Sequence, residues 1–216
     1  MIIVGYYVIF CCTYHLFSVK KQVVFSCQTK KQVTFVNDFN LFMDELPLWS
    51  APFGLSLLDT LHFRKHVTVL DIGCGEGFPI IEIASRFGET SRFIGLDPLL
   101  GPLKRMVHKK QVYGLPGVSA VQGVAESLPF ADRSVDLVVS NNGTNNVADI
   151  HQAFKECRRV MKPGGQLVIA VNTEQTMMEF YQVFEAVLLE QGLAASAAKI
   201  KDQIRRKRLS GEEIIS

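Results

Sequence analysis

The chain has no pair of cysteines spaced for zinc or for redox exchange. Its five cysteines, at 11, 12, 27, 74 and 157, are odd in number and form no C-x-x-C. This argues against a disulfide framework and a Cys-based zinc centre; no metal site is predicted, and a reducing, cytoplasmic compartment is the default. A field of one sign is also missing. Lys and Arg total 23 against 21 Asp and Glu, a net charge of +2 over 216 residues. No nucleic acid is expected as a partner, because a general binder needs a concentrated basic surface. There is no internal repeat or low-complexity tract, and only one tryptophan, Trp49. What is present is ordinary for a globular chain: 48% hydrophobic and 20% charged residues, in a length that suits one domain with a short extension.

Mean hydropathy, at +0.17, is high for such a composition. Much of the excess lies in residues 2–19, IIVGYYVIFCCTYHLFSV, which contain no Asp, Glu, Lys or Arg. At ~1.5 Å rise per residue such a run just crosses a hydrocarbon core of ~30 Å. Lys20, Lys21, Lys30 and Lys31 follow it and would set its C-terminal side in the cytoplasm. Three readings stay open: a membrane anchor, a buried or edge strand, or a segment appended outside the functional unit. At the other end, KIKDQIRRKR (199–208) reads as a solvated helix face with acidic Glu212 and Glu213 nearby.

Between the ends, short apolar runs alternate with helical patterns. VTVLDIG (67–73), SRFIGLD (91–97), VSAVQG (118–123), VDLVVSN (135–141) and QLVIAVN (166–172) are rich in Val, Ile or Leu and bounded by Gly, Pro, Asp or Asn. Near-continuous apolar runs suit strands buried on both faces of a parallel sheet. Helices are expected over 78–88, 99–114 and 148–162, the last ending at Pro163-Gly164-Gly165. This predicts a Rossmann-like, doubly wound α/β sheet with helices on both faces. Residues 36–66 read as a helical lid and 1–35 as a dispensable N-terminus. The series Met177, Met178, Phe180, Tyr181, Phe184 and Val187 has helical spacing and is predicted to be a core face.

The most informative segment is VLDIGCGEGFP (69–79): a strand, then Asp71-x-Gly73-x-Gly75-x-Gly77, then a helix. Glycines admit positive φ and let a ligand approach the backbone, and the helix start offers unpaired N–H groups. A dinucleotide fingerprint would need glycine at 78, where Phe stands, and no Gly-Lys-Ser/Thr follows, so the nicotinamide and P-loop readings weaken. Asp97 ends the second strand 24 residues after Gly73, where a carboxylate can accept from both hydroxyls of a ribose.

LDIGCGEG (70–77), IGLDP (94–98), VQGVAESLPFADRSVDLVVSN (121–141) and RRVMKPGGQLVIA (158–170) together resemble the class I S-adenosylmethionine-dependent methyltransferases, in the style of the small-molecule and quinone-type enzymes. The resemblance covers about half the chain. It implies that Asp71 and the Gly73-Cys74-Gly75 to Gly77 backbone hold the methionine part of the cofactor and Asp97 its ribose. By the same resemblance Pro98 lies against the adenine, Ala125 and Glu126 border it, and Asn141 and Asn142 face the reacting centre. Val124 stands where related sequences often carry an aspartate, so the adenine amino group needs another acceptor, such as Glu126 or main chain. The family's antiparallel sixth and seventh strands are not evident: the 25 residues after Gln191 read as helical and polar, so the C-terminal strand pair is expected to be missing and the tail 193–216 truncated after a core spanning 67–192. The Asn-Pro-Pro-aromatic motif of the N⁶-adenine type is absent as well.

On the acceptor side, SNNGTNNVADIH (140–151) lies past the carboxyl end of a strand, where open α/β sheets bind ligands. Asn141 and Asn142 suit either a polar acceptor or turn chemistry, whereas Asn145 and Asn146 read as turn residues. His151 is a candidate base but falls in the next helix, and Trp49 is a candidate to cup an apolar acceptor. Cys74 reads as a small buried filler. The leading expectation is a cofactor-dependent methyltransferase acting on a small molecule. Its rivals are an inactive cofactor-binding module or fragment, and a membrane-tethered quinone or lipid enzyme if residues 2–19 are an anchor.

Overall fold

The apolar runs become five parallel strands. In the computed structural model, which describes residues 51–62, 64–208 and 210, these are β1 (Thr68–Ile72), β2 (Arg92–Asp97), β3 (Val118–Gln122), β4 (Val135–Asn141) and β5 (Met161–Ala170). They pair in the order β3-β2-β1-β4-β5, every ladder parallel. The helices between and around them are α1 (Ala51–Asp59), α2 (Ile80–Phe87), α3 (Leu100–Val112), α4 (Ile150–Val160), α5 (Met178–Glu190) and α6 (Ala194–Lys207), with a 3₁₀ turn at Gly143–Asn146. The doubly wound α/β architecture is the one the alternation predicts. Among the described residues no antiparallel strand follows β5, and the stretch past Gln191 is α6.

Burial on both faces explains why the strands read as continuous apolar runs. Val69, Phe93, Leu137, Val139 and Val168 pack with Leu57 and Leu58 of α1, Ile80 and Ile83 of α2, and Leu103 and Met106 of α3. Leu70, Ile72, Leu96 and Val138 join Ala153, Cys157 and Val160 of α4 in a second cluster. Each fully buried Leu or Ile contributes about 1.5–3 kcal/mol, so the two layers fix strand register strongly. The chain runs from β1 outward through β2 to β3, then returns past β1 to β4. The crevice beyond the carboxyl ends of β1 and β4 is therefore the topological switch point.

Some element boundaries shift. The helix read over 148–162 ends at Val160, not at Pro163. Its last carbonyls, Arg159 and Val160, accept from the N–H groups of Arg133 and Ser134, and Met161 is already extended. The fifth strand consequently starts at Met161 and not at Gln166, and its register against β4 jumps from Val135↔Met161 to Leu137↔Gln166, so the Lys162–Gly165 segment bulges out. The helix read over 99–114 stops at Val112, with Gly114 beyond it at φ 63°.

The predicted core face of Met177, Met178, Phe180, Tyr181, Phe184 and Val187 is not a core. No residue of α5 is buried, and Phe180 and Val187 are 53% and 47% exposed. Phe180 stacks on Phe184 and meets Tyr181 edge-on. Arg208 donates to the Thr176 carbonyl and the Tyr181 hydroxyl and lies over the Tyr181 ring. Helical spacing placed these side chains together, but among the described residues the main packing partner of α5 is α6. Also among the described residues, no helix is long and apolar enough to cross a membrane. Residues 2–19, the rest of the N-terminus to position 50, and Trp49 lie outside the described residues.

Candidate cofactor site at the switch point

β1 runs into Gly73-Cys74-Gly75-Glu76-Gly77, and the three glycines have φ of 69°, 52° and 103°. These left-handed values are open to glycine and strained for other residues. The loop is tied to the end of β2: Gly73 N–H and Cys74 N–H both donate to the Leu96 carbonyl, at 2.8 and 3.1 Å. Asp97 closes it further. One carboxylate oxygen accepts from Gly75 N–H at 3.0 Å and the other from Leu99 N–H at 2.9 Å. Glu76 turns outward to Arg105 and Lys109 of α3. Cys74 is buried against Gly95 and Met106, where any Cβ on Gly95 would meet its sulfur at 2.7 Å. Burial, with the charges of Asp71 and Asp97, pushes its thiol far above the ordinary range. It is a packing residue, not a nucleophile.

Asp71 sits on β1 with no exposed surface. Neither of its oxygens has a hydrogen bond of standard geometry. Burial pushes its carboxyl well above the usual carboxylate range, the Ile80 amide at the start of α2 partly offsets this, and the charge on Asp97 pushes it further. For a carboxyl whose folded pKa is raised, the folded state binds the proton more tightly than the unfolded one. Its favourable contribution is complete below the ordinary pKa of about 3.9 and is lost as pH rises through the raised value. We expect Asp71→Asn to be more stable than the parent at pH 7 without ligand, with the difference vanishing near pH 3. Equal thermal midpoints at both pH values would refute this.

The other lip of the crevice is built from the segment after β4. Ser140, fully buried, donates to the Ile72 carbonyl at 2.8 Å and accepts from Thr144 N–H at 3.2 Å. Asn142 adopts φ 62°, donates its N–H to the Ala170 carbonyl, and accepts on its side-chain oxygen from Asn145. Its side-chain nitrogen is buried without a partner. Asn145 also accepts from Asn172 N–H at 2.8 Å, which binds the turn to the end of β5. Asn141 ends β4 under α1, where the bare Cα of Gly54 leaves room for the Phe78 ring and the Asn141 amide.

Thus Asp71, Gly73, Cys74, Gly75, Gly77, Asp97, Asn141 and Asn142 come together at one edge. Pro98 follows, exposed, and Ala125 is brought alongside because Gly123 N–H donates to the Asp97 carbonyl at 3.2 Å. The Glu126 carboxylate is engaged elsewhere: it accepts from Ala148 and Asp149 N–H at 2.6 and 3.2 Å, anchoring its loop to the start of α4. His151 is exposed on the first turn of α4. Sequence reasoning missed Ser140, Gly143 and Gly54. A Cβ on Gly143 would fall 2.2 Å from the Ile72 carbonyl oxygen and 2.8 Å from the Gly73 Cα. The Asn142-Gly143 pair was the available signal, but it reads only as a turn.

Residues 70–169 match the model of a family described as "Methyltransferase domain". A demethylmenaquinone methyltransferase of Staphylococcus aureus is 36% identical over 121 residues, 56% of this chain and 49% of that protein. The enzyme of the same name from Bacillus licheniformis is 34% identical over 127 residues, 59% and 54% of the two chains. This chain spans about half the length of these curated relatives. Among solved structures, the YcgJ protein of Bacillus subtilis matches at a TM-score of 0.52 and 28% identity, covering 64% of this chain and 58% of that one. The geranyl diphosphate C-methyltransferase of Streptomyces coelicolor shares the fold at a TM-score of 0.60 and 20% identity, covering 80% and 60%. The sheet order, the glycine loop at its switch point and these matches agree: residues 70–169 match the methyltransferase-domain family, on the fold of the S-adenosylmethionine-dependent methyltransferases.

Proposed function

We propose that the chain transfers a methyl group from S-adenosylmethionine to a small-molecule acceptor. The observation that carries this reading is the Asp97 carboxylate beside a glycine loop whose middle residue opens onto empty space. A Cβ at Gly75 would find nothing within 4 Å. The residues present fit the cofactor in three further respects. Asp71 keeps a buried carboxyl without a well-formed hydrogen bond, as does the Asn142 amide nitrogen. Exposed apolar side chains, Leu99 at 62% and Val124 at 47%, flank Asp97 where a flat base would lie. The Gly73–Gly77 backbone has no side chain to keep a ligand away.

When bound, the cofactor supplies an electrophilic methyl group with its leaving group built in. The chain's own work is to hold and align. Asp97 keeps two oxygens at the end of β2 with lone pairs left over for hydroxyl donors. Asp71 and the Gly73–Gly77 backbone hold the amino-acid end. Asn141, the last residue of β4, and Asn142 after it present the acceptor from the other lip, and α1 over Asn141 shields that edge from water. Alignment of this kind accounts for most of the rate in an in-line displacement, and a base is required only when the acceptor atom carries a proton. The name of the relatives makes demethylmenaquinone, reduced so that its ring is nucleophilic, the first acceptor to try.

The test is incubation of the chain with methyl-labelled S-adenosylmethionine, first with a demethylmenaquinol and then with a small-metabolite extract, followed by mass spectrometry. Label in a small product supports the reading. Cofactor binding with no labelled product from either source overturns it in favour of a binding module.

A further inference from the structure

The bulge at the start of β5 creates a second cleft on the opposite edge of the sheet. It lies at the amino ends of β1, β4 and β5, between the Lys162–Gly165 bulge, Val67 and the end of α2 at Phe87, and has a volume of about 280 Å³. Arg64 and Lys65 make its lining cationic and come, with His62 and His66, from the segment before β1. The single acid in the lining is Asp136, and it is already engaged. Its two oxygens accept from the Lys162 ammonium at 2.9 and 2.8 Å, and one of them accepts from Thr68 N–H at 2.8 Å. Among the described residues no carboxylate pairs with Arg64 or Lys65, and within that set their positive charge is uncompensated.

The wall is tied to the sheet where it begins. The Gln166 side chain accepts from His62 N–H at 3.1 Å and donates to the Thr60 carbonyl at 3.0 Å, which clamps the segment to β5. His66 holds a left-handed φ of 59° immediately before β1, a conformation of the sort found at ligand clamps. Gly164 and Gly165 leave the facing wall without side chains.

We infer that this cleft binds a phosphate group, with the Arg64 fork and the Lys65 ammonium as its principal partners. Ligand pockets run from roughly 300 to 1,000 Å³. A cleft of about 280 Å³ therefore suits the phosphate end of a small metabolite or a lipid headgroup, and not a whole nucleotide. Guanidinium and ammonium together match the tetrahedral, multiply charged oxygens of phosphate.

The experiment uses the full 216-residue chain and two probes: inorganic pyrophosphate by calorimetry, and vesicles containing phosphatidic acid by sedimentation. The double variant Arg64→Ala/Lys65→Ala is compared with Lys155→Ala/Lys199→Ala, which removes the same charge from α4 and α6. The expected result is binding by the parent and the control, weakened about tenfold or more in the Arg64/Lys65 variant and by added salt. Whichever probe binds more tightly identifies the free or the lipid source. Circular dichroism establishes that each variant is folded, independently of cofactor binding at the other edge. Absence of binding to both probes, or equal loss in the control variant, would overturn the assignment.

Discussion

Gly143→Ala should lower the unfolding free energy by about 3 kcal/mol, the upper part of the range for overpacking, and the thermal midpoint by roughly 6–12 °C. The alanine Cβ would meet backbone on both sides, the Ile72 carbonyl oxygen at 2.2 Å and the Gly73 Cα at 2.8 Å. Neither neighbour is a side chain that can rotate away. Both belong to the junction of β1 with the glycine loop, and the Ile72 carbonyl also accepts the Ser140 hydroxyl. Relief requires the two lips of the crevice to separate, so S-adenosylmethionine binding should weaken together with stability. The reciprocal change, Gly73→Ala, meets the Gly143 Cα at 2.5 Å and adds strain at φ 69°. Because the two changes strain one contact, the double variant should lose less than the sum of the singles. A midpoint unchanged in Gly143→Ala would show that the lips are not in contact.

Asp97→Ala should raise the dissociation constant for S-adenosylmethionine about 100-fold, the equivalent of two charge-assisted hydrogen bonds worth together ~3 kcal/mol. The same carboxylate also holds Gly75 and Leu99 N–H, so part of the loss would come from a loosened loop. Asp97→Asn separates the contributions. Its amide retains one acceptor oxygen, enough for one of the two backbone amides, but not the charge. It should lie between the parent and Asp97→Ala in both affinity and thermal midpoint. Calorimetry that finds the parent affinity in Asp97→Ala would remove the ribose role altogether.

The sheet was legible because its strands are buried on both faces: Val69 and Leu70 feed opposite clusters, so no polar alternation interrupts the run. The glycine loop and Asp97 were legible because backbone conformation and strand-end position are local properties. The face of α5 was misread for a related reason. Spacing tells which side chains share a helix face, but whether another element covers it is a tertiary fact, and Phe180 and Phe184 are largely exposed. Pro163-Gly164-Gly165 looked like a breaker between helix and strand, and it proved to be a bulge inside the strand, because the helix had already been ended by the N–H groups of Arg133 and Ser134. Gly143 could not be found from its neighbours, since its reason is the absence of space beside a residue 70 positions earlier. Glu126 was assigned to the adenine by resemblance, and nothing local announces that its carboxylate accepts from Ala148 and Asp149.

The loop at the end of β1 is bound to β2 before any ligand arrives, through Gly73 and Cys74 to the Leu96 carbonyl and through Gly75 to Asp97. A ligand therefore meets amides that are already ordered, and little backbone entropy remains to be lost at that lip. In hydrogen exchange these three amides should be slow in the free chain, by virtue of a covalently distant strand and not of their own element. Ligand should slow Gly75 further while leaving Gly73 and Cys74 nearly unchanged, which makes Gly75 the reporter of occupancy.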